Sequence, residues 1–268
     1  MKAPDPACIR CAAQIPKFRQ RLFSVWYRHL RVYIRYLISN GLPPFLEPLF
    51  FLAGIGLGLG SKLAPVDSVP YLIFLASGMP APPAMFTAAF ECTYGTFIRM
   101  NIDRVYDGML GAAISERDLI IGEIIFAGSK GLFFSASVML VLTPFGLLSY
   151  PVVLLAPFVG FITGIMFGAL GMVITSFVKT INHFNIFITG FLTPMFFFSG
   201  LVFPLKNLPL ELHWIAELLP LTHSVRIIRS CALSAAQKGA LFSILYMLLF
   251  SLVFSMLAVK LLRKRLID

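Results

Sequence analysis

Three glutamates stand inside apolar runs, where an ionised side chain has the fewest places to go. They are Glu47, Glu91 and Glu123. A charge in hydrocarbon costs about 2.5–3.5 kcal/mol on insertion scales, so such a residue normally faces protein or water. Glu47 comes five residues after Leu42, Glu91 eight before Arg99, and Glu123 five after Asp118. At about 1.5 Å per helical residue, this counting puts all three roughly 7–12 Å inside one membrane face. Two kinds of chemistry are open to them. Each carboxylate could be tied to an arginine or a backbone end and hold helices together. Alternatively, the three could line the mouth of a pathway for a polar or amphiphilic cargo. Lys130 lies seven residues beyond Glu123 on the same helical face. It is about 10 Å along the axis, too far for a direct pair with Glu123.

A second constellation lies in 99–118, which mixes both signs: Arg99, Asp103, Arg104, Asp107, Glu116, Arg117 and Asp118. Charges of this kind set the orientation and pairing of a protein partner more than bulk affinity. Other candidates fail on spacing. Gly54, Gly56, Gly58 and Gly60 precede Ser61-Lys62, and Gly128-Ser129-Lys130-Gly131 follows later. Neither has the Gly-Lys-[Ser/Thr] order of a phosphate loop. They read instead as small-residue helix contacts, together with Gly160-x3-Gly164-x3-Gly168, within the chain or across a dimer. His183, His213 and His223 fall on separate connections with no acid at triad or ligand spacing. Cys8 and Cys11 form one C-x-x-C without a second pair, so no metal site is expected. An intramembrane transferase would need convergent acid or His groups, and a channel would need a repeated pore signature. The sequence offers neither.

The elements that must hold these residues follow from composition. Of 268 residues, 58% are hydrophobic and 13% charged, with mean hydropathy +0.87. Soluble chains average about 45–50% apolar and about 25% charged, so lipid must cover the excess. The net charge of +10 does not indicate nucleic acid. The positives gather before the first apolar run, from Lys2 to Arg35, and after the last, from Lys260 to Arg265. Cytoplasmic flanks of membrane helices carry that excess.

The reading is an all-α membrane protein with six transmembrane helices, at about 42–60, 70–98, 119–143, 151–178, 184–203 and 240–260. Residues 1–13 are expected to be a flexible N-terminus without a cleavable signal core. Over 14–38 the helical wheel puts Phe18, Leu22, Val25, Trp26, Tyr33 and Tyr36 on one side and Arg21, Arg28, Arg31 and Arg35 on another. That predicts an amphipathic helix flat in the headgroup plane. Pro80, Pro82 and Pro83 predict a break in the second span. Ser115-Glu116-Arg117-Asp118 predicts a capped start for the third. An even span count returns both termini to the cytoplasm, with 263–268 as a basic tail. Residues 204–239 are too apolar for a solvated outer loop and are expected as a re-entrant pair of short helices before the last span.

Several stretches together resemble ABC-2 permeases, the family of ABC exporters that includes the nodulation protein J group of lipo-oligosaccharide exporters. They are Phe45 to Gly58, Ala84 to Thr93 and Val105 to Leu110. The late run Phe198-Ser199-Gly200, Phe203-Pro204, Pro220-Leu221-Thr222-His223 and Arg229 completes the set. The resemblance covers roughly 25–262.

It implies a non-enzymatic transport subunit in a bacterial inner membrane. The subunit would act as a homodimer with a separate ATP-binding subunit that holds the ATP and Mg, so no cofactor is expected on this chain. The resemblance also implies a coupling helix here, so Asp103, Arg104, Val105, Tyr106 and Asp107 are expected to meet the ATPase. The cargo it implies is an acylated oligosaccharide, in that group a lipo-chitin oligosaccharide; other exporters of the family carry lipids, polysaccharides or drugs. Phe197 and Trp214, beside Phe196 and Phe198, could stack on sugar faces along such a path or simply pack in the membrane.

Overall fold

The computed structural model describes residues 17–58, 65–66, 69–112, 114–148, 152–207, 209–233 and 239–267. Cys8, Cys11, Gly60, Ser61 and Lys62 lie outside the described residues. Within them all regular structure is helical apart from one isolated bridge, Val66 to Val69.

Helix α1 spans Phe18–Arg35 and is amphipathic, with Val25 and His29 buried and Arg19, Arg31 and Arg35 exposed. Its neighbour is α6, the long helix Glu116–Leu142. Arg21 meets Asp118, Val25 meets Gly122, His29 meets Phe126, and Tyr33 meets Lys130. Equal steps along both helices mean that α1 runs beside α6 in the same direction. The wheel predicts a flat helix; packing sets it along a neighbour over three turns. Gly122 allows the approach, since a Cβ there would stand 2.7 Å from Val25 Cγ1.

A short turn at Leu37–Gly41 leads into α2, Pro43–Leu52, extended by a π turn over Ala53–Leu57. Phe45 packs edge-on against Phe133 of α6, and Leu52 reaches Val138, Met139 and Leu142. Among the described residues nothing lies within 4 Å of where a Cβ on Gly54 or Gly58 would stand.

The next span runs from Tyr71 to Ile102. It consists of α3, Tyr71–Ala76, a break, and α4, Ala81–Phe90, followed by π turns at Glu91–Gly95 and Ile98–Ile102. The break is where Pro80, Pro82 and Pro83 predict it, because proline removes a helical donor and crowds the preceding turn. Arg104 then adopts a left-handed conformation, φ 49°, and starts α5, Val105–Leu110.

Ser115 caps α6 by accepting the Asp118 amide at 3.2 Å. Helix α7, Ala156–Phe177, packs against α6 through glycines. A Cβ on Gly131 would lie 2.5 Å from the Gly160 oxygen, and one on Gly164 would lie 2.7 Å from the Ala127 oxygen. The Gly160–Gly164 repeat therefore works within this chain, letting the two backbones touch.

Helix α8 covers Ile181–Phe198, with a π turn at Ile188–Leu192. Two short helices follow, α9 over Leu210–Leu218 and α10 over Pro220–Ala232. Helix α10 is buried along most of its length and sits among α4, α7 and α11, the last helix, Ala240–Ile267.

Among the described residues five helices are long and apolar enough to cross a membrane: Tyr71–Ile102, Glu116–Phe145, Ala156–Phe177, Ile181–Phe198 and Ala240–Leu266. The segment 42–60 is helical as far as Gly58. Arg265 donates to the Thr175 and Val178 carbonyls, the latter at 2.7 Å. The start of α6 and the ends of α7 and α11 thus gather at one basic end of the bundle.

Candidate functional site

Glu91, in the first residue of a π turn, and Glu123, one third of the way along α6, converge at this end. Arg99 joins them. Its Nη1 donates to Glu91 Oε1 at 2.6 Å, its Nη2 to Glu123 Oε2 at 2.9 Å and its Nε to Glu123 Oε1 at 3.1 Å. Lys130 Nζ donates to the other Glu91 oxygen at 2.9 Å and stands 5.3 Å from the centre of the Tyr33 ring. Thr96 Oγ1 donates to Glu123 Oε2 at 2.6 Å, and His29 Nε2 lies 3.3 Å from Glu123 Oε1. Two carboxylates thus face an arginine and a lysine, with a histidine alongside. The Glu123 side chain is 1% exposed.

The cluster depends on local helix geometry. π turns on both sides of Thr96 widen the helix and aim Glu91, Thr96 and Arg99 at α6. Gly95 leaves room, since a Cβ there would lie 3.0 Å from Arg99 Nη1 and 3.3 Å from Glu91 Oε1. Removing one member of a buried ion pair costs about 3–5 kcal/mol, because the other charge is left unpaired in a low dielectric.

The five coupling candidates divide by exposure. Asp103, Arg104 and Asp107 are exposed and Val105 is half-buried, whereas Tyr106 is buried. The Tyr106 hydroxyl is sealed beside Glu123 and Thr96 without an aligned hydrogen bond. Burial first, then the Glu123 carboxylate, holds this phenol well above its ordinary pKa. Helix α5 thus presents mixed charge outward and plants one aromatic side chain in the ion cluster.

Glu47 does not belong with the other two glutamates. It is exposed and borders a cleft with Met79, Pro82, Pro83, Phe196 and Leu201, at the level of the proline break. The equal-depth count fails because α2 does not begin where α6 begins. Its Phe45 meets Phe133, ten residues past Glu123 and about 15 Å further along α6. Helix α1 fills the level below. Lys130 does not pair with Glu123, as the spacing requires, and finds Glu91 across the helix interface instead. Phe197 and Trp214 are exposed on α8 and α9, and no ring contact joins them among the described residues.

One buried cation escaped the sequence reading of charge. Arg229, 7% exposed, has no carboxylate partner among the described residues. Its guanidinium donates to the Gly200 carbonyl at 2.8 Å, to Phe74 and Leu201 carbonyls at 3.3 Å each, and to Ser77 Oγ at 3.1 Å. It lies 3.8 Å from the centre of the Phe74 ring. The acceptors lie at the C-terminal end of α3 and in the turn after α8, where the helical ladder is interrupted. Helix C-termini favour cations. The proline cluster was the available signal, since a broken span must find donors for its freed carbonyls.

The profile of the family described as ABC-2 type transporter matches residues 20–233. The chain belongs to this family. Relatives extend over nearly the whole permease. Nodulation protein J of Sinorhizobium fredii is 36% identical over 259 residues, covering 97% of this chain and 99% of the relative. That of Rhizobium leguminosarum bv. viciae is 33% identical, over 95% and 98%. The inner membrane transport permease YadH of Escherichia coli is 22% identical, over 76% and 79%. The matched region holds the whole ion cluster, α5 and Arg229.

Proposed function

We propose that this permease is the membrane subunit of an ATP-driven exporter that moves an amphiphilic lipo-oligosaccharide, of the lipo-chitin type, outward across the inner membrane. It works as a homodimer with two copies of a separate ATP-binding subunit, and both of its termini lie in the cytoplasm. One observation carries the reading: α5 is a short, two-faced helix at the basic end. Its exposed Asp103, Arg104 and Asp107 suit a protein partner, while its Tyr106 sits in the cluster that joins α1, α4 and α6. A push on α5 therefore reaches three helices through one side chain. Glu47 and the cleft beside it, at the end away from the basic cluster, are what we assign to the outer part of the cargo path, with Phe197 and Trp214 near it; Glu91 and Glu123 hold helices together. The acylated cargo rests on the nodulation protein J relatives.

The test is ATP-dependent uptake of a labelled lipo-chitin oligosaccharide into inverted vesicles that hold the permease and its ATP-binding subunit. Reversing both charges, Arg104→Glu with Asp107→Arg, is expected to cut cargo-stimulated ATP hydrolysis at least tenfold with insertion unchanged. Unchanged coupling would remove α5 from the partner interface. Uptake of an unacylated drug in preference to the oligosaccharide would overturn the cargo.

A further inference from the structure

Beside the ion cluster, but opening away from it, a groove of about 640 Å³ runs between the start of α6 and the last half of α11. That volume falls in the usual range of about 300–1,000 Å³ for small-molecule sites. Its walls are apolar, with Ile121 from α6 and Leu252 and Met256 from α11. Its polar lining gathers at the basic end, where Arg117, Lys260 and Arg263 border it and all three are exposed. None of the three has an ion-pair partner among the described residues. Asp118, the neighbouring acid, turns to the other side of α6 and pairs with Arg21 at 2.6 Å.

We infer that this groove is a binding site for an anionic phospholipid, its phosphate held by Arg117, Lys260 and Arg263 and an acyl chain laid against Leu252 and Met256. The inference rests on the membrane reading of the chain and its basic end, and not on the cargo. Three arguments select a lipid. The groove is amphiphilic, with cations at one end and hydrocarbon along the rest. Both walls are candidate membrane spans, so the apolar part opens where acyl chains are. From Leu252 to Arg263 the helix rises roughly 16 Å, close to half of a hydrocarbon core about 30 Å thick, the depth of one leaflet. Basic pockets between membrane helices on the cytoplasmic side take anionic headgroups by the same physics.

The experiment is native mass spectrometry of the full-length permease in mild detergent with equimolar phosphatidylglycerol and phosphatidylcholine of identical chains. The wild type is expected to retain phosphatidylglycerol over phosphatidylcholine by about fivefold or more, on the order of one well-placed basic residue's attraction. The triple variant Arg117→Gln, Lys260→Gln, Arg263→Gln should lose that preference. The single Lys260→Gln should weaken it in a protein that elutes like wild type. Leu252→Trp, which fills the groove and keeps every cation, should also lose the retained lipid. Equal retention of both lipids by the wild type would overturn the inference. So would an unchanged preference in the triple variant. Retention despite the filled groove would reduce the effect to surface attraction. Loss of dimer in Leu252→Trp with the lipid preference intact would assign the groove to a second copy of the chain.

Discussion

Arg229 is buried and Arg99 half-buried, at opposite ends of this bundle, and they are satisfied by different chemistry. Arg99 faces two carboxylates in a cluster that includes Lys130 and His29. Arg229 faces none among the described residues, and is held by three carbonyls, one hydroxyl and one ring. The first solution binds formal charges that must all be present together. The second uses the partial charge of helix ends, where the Phe74 carbonyl also accepts from Ser77 Oγ at 2.7 Å. One cluster fails by leaving an ion alone; the other fails by leaving dipoles alone. The energetic scales differ accordingly.

The largest effect is expected from Arg99→Met, which strands Glu91 and Glu123 against a single Lys130. About 3–5 kcal/mol should be lost, read as a collapse of the monodisperse peak in fluorescence-detected size exclusion. Adding Glu123→Gln to that variant should recover part of the peak, because the remaining Glu91 keeps Lys130. No recovery would mean that the cluster is not held by charge balance.

Arg229→Met should cost less, about 2–3 kcal/mol, since it frees carbonyls but strands no ion. Thermal unfolding in detergent places the two variants on one scale. A lower midpoint for Arg229→Met than for Arg99→Met would break the comparison. Lysine at 229 should not restore wild-type stability, because a point charge cannot reach carbonyls on two helices as the planar guanidinium does.

Smaller substitutions sharpen the contrast. Gly78 lies against Arg229, and a Cβ there would meet Leu201 Cδ1 at 2.8 Å, Arg229 Nη2 at 3.1 Å and Val225 Cγ1 at 3.2 Å. Gly95 beside Arg99 would meet only Arg99 and Glu91 within 3.4 Å, at 3.0 and 3.3 Å. Gly78→Ala is therefore expected to lower the unfolding midpoint more than Gly95→Ala, within the about 1–3 kcal/mol typical of overpacking.

The smallest effect concerns pH. Burial and then the Glu91 carboxylate push the Tyr33 phenol up to about 12 from 10.0. The folded state keeps that proton longer than the unfolded one. Stability from this group is therefore complete below pH 10 and is lost as pH rises toward about 12. Tyr33→Phe should flatten the midpoint–pH curve in that window and change little at neutral pH. An unaltered slope would show that Tyr33 is not in the field of the cluster.

Much of the architecture was legible because hydropathy and proline act locally. The apolar runs of the five candidate spans, the break after Ala76, the Ser115 cap and the short helices before α11 are each written in a few adjacent residues. The glutamates were legible as residues that must find partners. Their partners were not, because partners are set by register between helices far apart in sequence. Arg99 reads as one charge in a polar loop, yet two π turns rotate it inward. Glu47 reads as level with Glu91 and Glu123, yet the level depends on where α2 starts against α6, and Gly41 and Phe45 fix that at Phe133. Periodicity assigns faces to a helix; it does not say at what height a neighbour begins.

The parallel register of α1 and α6 has a consequence for how the molecule is made. Val25 and His29 are synthesised first, but the residues they dock on, Gly122, Glu123 and Phe126, follow about a hundred residues later. At about 5–20 residues per second that is a wait of roughly 5–20 seconds. During it α1 has an apolar stripe, five arginines from Arg19 to Arg35 and no partner from its own chain. Its docking completes the Glu123 cluster, so a segment made before α6 is locked only once α6 has followed it. Assembly of this end is thus timed by α6, and a nascent chain stopped before Glu116 would hold a helix with nowhere to dock.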